Sequence, residues 1–180
     1  KLNNDVWDIV QIARHAARPT ARGYLKKIIT NFVELHGDRY YGDDSTIVTG
    51  VGYLGGQTVV VVGQEKQKNN PNENLKNART TPEGFRKVKR IVELANKFSL
   101  PLITLVDTSG PKLGIDSEER GLANTIATTI SEMVNLEAPS ISVIIGEGGS
   151  EAALPLLVTN KTFMLQNSIL SVVSPEGAAE

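Results

Sequence analysis

The sequence predicts an α/β fold, a single domain built on parallel strand–helix–strand units, and three observations carry that expectation. Two short apolar runs, residues 101–106 (PLITLV) and 140–145 (SISVII), each end in a glycine-bearing turn that leads into helical sequence. Such runs are the pattern of buried parallel strands feeding strand-to-helix turns. Strand and helix patterns then alternate through the second half of the chain, which favours βαβ units. Gly55-Gly56 joins two β-rich runs, a strong two-residue hairpin signal.

The elements follow in order. Val6, Ile9, Val10, Ile12 and Ala13 form a helical stripe within residues 6–17. Leu25, Ile28, Ile29, Phe32 and Val33 predict a second helix over 23–35, broken by His36-Gly37-Asp38-Arg39-Tyr40 and a loop at 42–45. Residues 46–54 and 57–62 make the hairpin. Residues 65–79 are polar and predict a mobile loop of low intrinsic order. Thr81 as N-cap and Pro82 as first helical residue open a helix reaching about Phe98, with Phe85, Val88, Ile91, Val92 and Ala95 inward. After the strand to Val106 come a loop, a helix near 118–134 and the strand at 140–145. A short helix near 155–158 and β-rich runs at 162–165 and 169–173 complete the pattern. Ser174-Pro175 opens a helix only a few residues before Glu180, and no initiator methionine is present. Both ends are therefore expected to be truncated.

Composition narrows the class. With 180 residues, 40% hydrophobic and 22% charged, the chain can bury one ordinary soluble core. A net charge of −1 points to neither nucleic acid nor anionic membrane as partner. The absence of cysteine removes disulfides, thiolate nucleophiles and cysteine-ligated zinc, and fits a cytoplasmic protein. No apolar run approaches the roughly 20 residues a membrane span needs, and residues 1–11 do not form a signal peptide. No cluster has metal-ligand spacing. What remains is the pair of glycine turns. Such turns present backbone N–H groups beside a helix N-terminus, where developing negative charge can be held. That chemistry suits an enzyme of thioesters or carboxylates.

Several strings then carry a family resemblance. Ala13-Arg14-His15, Glu34-Leu35-His36-Gly37-Asp38-Arg39, Pro82-Glu83-Gly84-Phe85-Arg86-Lys87 and Asp107-Thr108-Ser109-Gly110 are four of them. Glu118-Glu119-Arg120-Gly121, Ile145-Gly146-Glu147-Gly148-Gly149-Ser150 and Ser171-Val172-Val173-Ser174-Pro175-Glu176-Gly177 are three more. In this order and spacing, over roughly residues 6–179, the chain resembles the carboxyltransferase α subunits of bacterial acetyl-CoA carboxylase. The resemblance implies a crotonase-like ββα superhelix of the ClpP/crotonase type. One domain would span residues 1–180, with a helical N-terminal segment at 1–40 and a crotonase-like core at 41–180.

The resemblance also implies a reaction and its partners. A carboxyl group passes from carboxybiotin, on the biotin carboxyl carrier protein, to acetyl-CoA, giving malonyl-CoA for fatty acid synthesis. Carboxybiotin and acetyl-CoA are substrates, and no cofactor is held tightly by this chain. Zinc is expected only on a partner carboxyltransferase β subunit, in an α2β2 assembly with active sites at the subunit interface. The α subunit would supply the biotin-side hydrogen-bond donors. On this chain the catalytic candidates are Gly148 and Gly149, which would allow close approach, and the amides of Glu151 and Ala152. Gly146, Ser150, Gly110 and Gly114 are the substrate-binding candidates.

Two turns depart from the family pattern. The family continues Gly-Glu-Gly-Gly-Ser with Gly-Gly-Ala-Leu, where this chain has Glu151-Ala152-Ala153-Leu154. It also reads Asp-Thr-Pro-Gly-Ala-Tyr-Pro-Gly, where this chain has Asp107-Thr108-Ser109-Gly110-Pro111-Lys112-Leu113-Gly114. Two Cβ atoms are thereby added beside the presumed anion site, and Pro111 has no N–H. Glu151 either points to solvent as a favourable helix N-terminal charge or blocks the site. Pro155 would clash with the carbonyl of residue 151 in a helix begun at Ser150, so that helix is expected to start a turn later. Two rival readings stay open: a catalytically silent relative that keeps only fold and assembly surface, and another crotonase-type enzyme such as a hydratase or decarboxylase.

The remaining polar groups have plainer readings. His15 and His36 are expected in structural or interface roles. Asp38-Arg39 is expected to be a local ion pair or interface contact. Lys87, Lys89 and Arg90 form either a solvated helix face or a contact for CoA phosphates. Asp107 either caps a turn or acts as a base. Glu118 and Glu119 are adjacent on a helix and cannot face one point.

Overall fold

The computed structural model describes residues 6–66 and 79–179. In chain order the elements are α1 (Val6–Ala13), α2 (Ala21–Ile28), β1 (Thr30–Glu34), β2 (Ile47–Leu54), β3 (Gln57–Gln64), α3 (Pro82–Lys97) and β4 (Leu102–Thr108). They continue with α4 (Ile115–Glu119), α5 (Leu122–Val134), β5 (Ser140–Gly149), α6 (Ser150–Leu157), β6 (Lys161–Met164), β7 (Ile169–Ser171) and α7 (Pro175–Ala178). One sheet runs β1-β2-β3-β4-β5-β6, and β7 also pairs with β5. The first three strands are antiparallel; β3, β4, β5, β6 and β7 are parallel. Strand β5 is thus shared, with β6 along residues 141–144 and β7 along 147–149.

The hairpin between β2 and β3 forms because Gly55 and Gly56, at φ +57° and +85°, supply the two positive φ angles of a type I′ turn. Val59, Val60, Val61 and Val62 of β3 are all buried, as a parallel-sheet strand covered on both faces requires. On one face Val60 and Val62 join Val88, Ile91 and Val92 of α3 and Leu156 of α6. On the other, Val59 and Val61 join Ala21 and Leu25 of α2. Phe85, Leu122, Ile126 and Ala152 lock α3, α5 and α6 together. Thr81 caps α3 through its side chain, accepting from Gly84 N–H, with Pro82 following.

The structure corrects several sequence expectations. The helix expected over 23–35 runs from 21 to 28 and gives way to β1, which lies inside the segment expected to be helical. Ile28-Ile29-Thr30 and Val33 are β-branched, and in this stretch the pairing with β2 outweighs the helical stripe. Ile28 and Val33 end up exposed. The helix expected near 118–134 is two helices, α4 and α5, separated at Gly121, whose φ is +77°. Of the expected loop at 65–79, residues 67–78 lie outside the described residues. The β-rich runs near 162–165 and 169–173 are β6 and β7, and Ser174 caps α7.

Candidate active site

The C-terminal ends of β3, β4 and β5 converge, and the two glycine turns singled out in the sequence meet there. Strand β5 does not turn at Gly146. It stays in the sheet through Gly149, where Gly148 is in register with Thr108 of β4 and Leu170 of β7. The bend comes at Ser150, a non-glycine residue at φ +53°, where the chain passes directly into α6. A side chain held in that region of φ/ψ is strained, and such residues gather at functional junctions.

Gly146 and Gly149 are each required by a constrained protein neighbour, whereas Gly148 meets only the tip of a half-exposed leucine side chain. A Cβ on Gly146 would fall on the Asp107 carboxylate. One on Gly148 would lie 2.9 Å from Leu170 Cδ1, and one on Gly149 only 2.8 Å from the Thr108 carbonyl oxygen. Gly110, at φ +134°, lies beside Ser150, so the β4 loop packs against the start of α6. Gly114, at φ +137°, stands apart as the N-cap of α4, with its carbonyl accepting from Ser117 and Glu118.

The donors differ between the two turns. After β4, Gly110 N–H donates to Thr108 Oγ1 at 3.1 Å, Lys112 N–H donates to the Thr80 carbonyl at 2.9 Å, and Pro111 has none. At residues 110–112 that turn is therefore occupied by its own loop and by its bridge between Thr80 and Pro111. After β5, the first turn of α6 carries the amides of Glu151 and Ala152, and no side chain caps it. The leading N–H groups of a helix lack intrahelical acceptors and face an anion favourably.

The side chains at 151 and 152 take opposite environments, one exposed and one buried. Ala152 is fully buried among Phe85, Leu122 and Ile126, so its methyl group points into the helix layer. Glu151 is exposed, and the Ser150 hydroxyl donates to its carboxylate. Pro155 lies within α6 rather than at its first position, contrary to the expectation of a late helix start. Gln64 Nε2 donates to the Ala152 carbonyl at 2.8 Å, supplying a side-chain donor to a carbonyl in the turn the proline perturbs.

Beneath the turns lies a chain of charges that sequence reasoning did not assemble. Asp107 is 3% exposed, accepts Glu147 N–H at 2.9 Å and pairs with Lys66 Nζ at 2.6 Å. Burial raises the Asp107 pKa, and Lys66 and the Glu147 amide only partly offset it. The Glu147 carboxylate takes two hydrogen bonds from Arg14, which also reaches Glu176. One turn further along, Arg18 donates to the Ile145 carbonyl and to Ser168 Oγ at 2.8 Å. The end of α1 and the residues after it thus clamp the β5 strand end against β7 and α7.

The other polar candidates lie elsewhere. Asp38 pairs with Arg86 rather than with neighbouring Arg39, and its Oδ1 accepts three amides. Burial alone would raise its pKa, but the three amides and the guanidinium hold it at about 2. Lys87 is buried against Asp43 and the Ile47 carbonyl, so it is not part of a solvated face; Lys89 pairs with Glu93 on the exposed side. His15 accepts from Ala17 N–H, and His36 meets Asp43. A cleft of about 480 Å³ beside Tyr40 and Tyr41 is lined by Arg86 and Arg120, whose guanidiniums are already paired with Asp38 and Glu83. Among the described residues no group of three or more His, Asp or Glu could hold a metal ion. No helix among them is long and apolar enough to cross a membrane.

Comparison with known proteins places this architecture. Residues 2–180 match the family described as acetyl co-enzyme A carboxylase carboxyltransferase-like. The chain is 47% identical over 178 residues to the acetyl-coenzyme A carboxylase carboxyl transferase subunit alpha of Wigglesworthia glossinidia brevipalpis, covering 98% of this chain and 56% of the relative. It is 49% identical over 174 residues to the subunit of the same name from Geobacter sulfurreducens, covering 96% and 54%. The chain therefore spans a little over half the length of these relatives. Among solved structures it superposes on transcarboxylase 12S with a TM-score of 0.78 at 21% identity, covering 98% of this chain and 34% of that one. The P. aeruginosa geranyl-CoA carboxylase β subunit gives 0.71 at 19%, covering 84% and 28%. These likenesses show the crotonase-like α/β fold, and the sequence matches decide the family: the chain belongs to the acetyl-coenzyme A carboxylase carboxyltransferase α-subunit family.

Proposed function

We propose that this chain works as the α-side domain of a carboxyltransferase, moving a carboxyl group from carboxybiotin to acetyl-CoA to give malonyl-CoA for fatty acid synthesis. The observation that carries the reading is the uncapped first turn of α6, whose Glu151 and Ala152 amides stand at the strained end of β5. As carbon dioxide leaves biotin, the ureido oxygen gains negative charge. Two preorganised N–H donors stabilise such an oxygen, each worth about 2.7–4 kcal/mol in comparable oxyanion sites. No side-chain nucleophile is needed; positioning and main-chain electrostatics carry the chemistry. Gly146 and Gly149 serve by letting β4 and β5 pack closely enough to aim that helix, Gly148 lies against β7, and Gly110 and Ser150 form the neighbouring wall.

The partners in this proposal are a carboxyltransferase β subunit bearing a zinc ribbon, which supplies most of the CoA side, and the biotin carboxyl carrier protein. An α2β2 assembly in the cytoplasm is the corresponding setting. The test is malonyl-CoA formation by this chain with its co-purified β subunit, carboxylated carrier and acetyl-CoA. Turnover supports the reading. A stable α–β complex with no turnover, rescued by Glu151→Gly with Ala152→Gly, replaces it with the silent relative. The exposed Glu151 carboxylate on the first turn of α6 is the observation that favours that second reading. Turnover of acyl-CoA by this chain alone, without carrier, identifies a different crotonase-type enzyme.

A further inference from the structure

We infer that Asp107 is a positioning residue for this site, setting the direction of the peptide run that ends at the first turn of α6. The inference rests on the carboxyltransferase reading above. Its geometry is independent of it. The carboxylate sits between the β4 and β5 ends, occupies the space that a side chain at 146 would take, and accepts Glu147 N–H at 2.9 Å. Lys66 Nζ lies 2.6 Å away on the strand-end side of β3 and favours the charged carboxylate against the opposing effect of burial. Three residues separate the gripped amide from Glu151, and Gly148 and Gly149 are paired or packed on both sides. A shift at Glu147 therefore passes along a stiff segment to the donor amides. Asp107 itself is buried beneath the turns, and the role inferred for it is to hold the Glu147 amide. Displacing a catalytic donor by about 1 Å costs about 100-fold in rate.

Two double variants separate positioning from simple structural support. Lys66→Met with Asp107→Asn removes both charges and keeps an acceptor for Glu147 N–H; Lys66→Met with Asp107→Leu removes the acceptor in a side chain of similar size. Each is assembled with the β subunit and assayed with carboxylated carrier and acetyl-CoA, and amide exchange at Glu147 is followed by NMR. The Asn variant is expected to keep kcat within about 3-fold of wild type and to keep Glu147 N–H protected. The Leu variant is expected to lose about 100-fold in kcat with KM changed less than 3-fold, and Glu147 N–H is expected to exchange at least about 10-fold faster. Equal kcat in the two variants overturns the proposal, as does a protected Glu147 amide in the Leu variant. If wild-type protein makes no malonyl-CoA, the functional reading fails on its own, and the amide exchange still decides whether Asp107 holds the segment.

Discussion

Arg14 and Glu147, 133 residues apart in sequence, meet in a two-pronged ion pair, Nε to Oε2 at 3.0 Å and Nη2 to Oε1 at 2.6 Å. The Glu147 side chain is only 5% exposed, so this carboxylate depends on its partner. Replacing Arg14 with alanine leaves a buried, uncompensated charge at the end of β5, and the expected loss is about 3–5 kcal/mol. Urea unfolding of Arg14→Ala measures it. Arg14→Ala with Glu147→Gln is expected to recover most of the loss, because the stranded charge is gone. A loss below about 1 kcal/mol in the single variant means that the pair is not a structural clamp.

Gly149→Ala tests the close approach of the two strand ends. The new methyl group would meet backbone, Ser109 C and the Thr108 carbonyl oxygen at 2.8 Å, rather than a flexible side chain. Overpacking of this kind costs about 1–3 kcal/mol, and here the strain is relieved only by moving β4 or β5. Thermal unfolding is expected to show the lower stability. Gly114→Ala has open space but sits at φ +137°, so its penalty comes from backbone strain alone. A Gly149→Ala variant as stable as wild type would contradict the packing described here.

Acid stability is expected to be governed in part by Asp38. Its folded pKa, about 2, lies below the ordinary aspartate value of 3.8. The stabilising charge is therefore fully present above about pH 4 and is lost as pH falls towards 2, a contribution of about 2 kcal/mol. Asp43, also held at about 2, acts in the same direction, but its side chain is 39% exposed and solvent screens it. Asp107 acts oppositely, because its raised pKa makes ionisation unfavourable to the fold as pH rises through the carboxylate range. Stability measured from pH 6 to pH 2 is expected to fall less steeply in Asp38→Asn than in wild type. Parallel curves would remove Asp38 from the account.

The parallel core was legible because its signals are local. Valine runs, the Gly55-Gly56 turn and the Thr81-Pro82 cap each act within a few residues, and each element formed where expected. Strand β1 was hidden because Leu25, Ile28, Ile29, Phe32 and Val33 satisfy a helical period while the β-branched residues among them favour a strand. The missed signal lies on its partner. Gly50 and Gly52 alternate on one face of β2, and side chains there would strike Val33 and Phe32 of β1 or Ile29 just before it. The glycine turns were found, but their purpose was not. Gly146 answers to Asp107 and Gly149 to Ser109, partners 39 and 40 residues upstream, and no spacing rule reports such long-range packing. The Arg14–Glu147 and Lys66–Asp107 pairs escaped for the same reason.

Glu151 offers the sharpest functional prediction. At the first turn of α6 its charge favours the helix, yet it stands beside the amides proposed to receive an oxyanion. Buried there, it would oppose the anion by several kcal/mol; exposed, as found, it acts through water, and at about 4 Å the repulsion is about 1 kcal/mol. Removing it by Glu151→Gly is therefore expected to raise kcat/KM for carboxybiotin-dependent malonyl-CoA formation by about 5-fold at low ionic strength. The advantage is expected to shrink towards unity at 0.5 M salt, where the screening length falls below about 5 Å. Ala152→Gly, by contrast, removes a methyl group packed against Phe85 and Leu122, so it is expected to destabilise the domain without improving turnover. A salt-independent gain from Glu151→Gly would mean that the residue acts by occupying space. A gain from Ala152→Gly alone would mean that the methyl group, not the charge, limits access to the helix end.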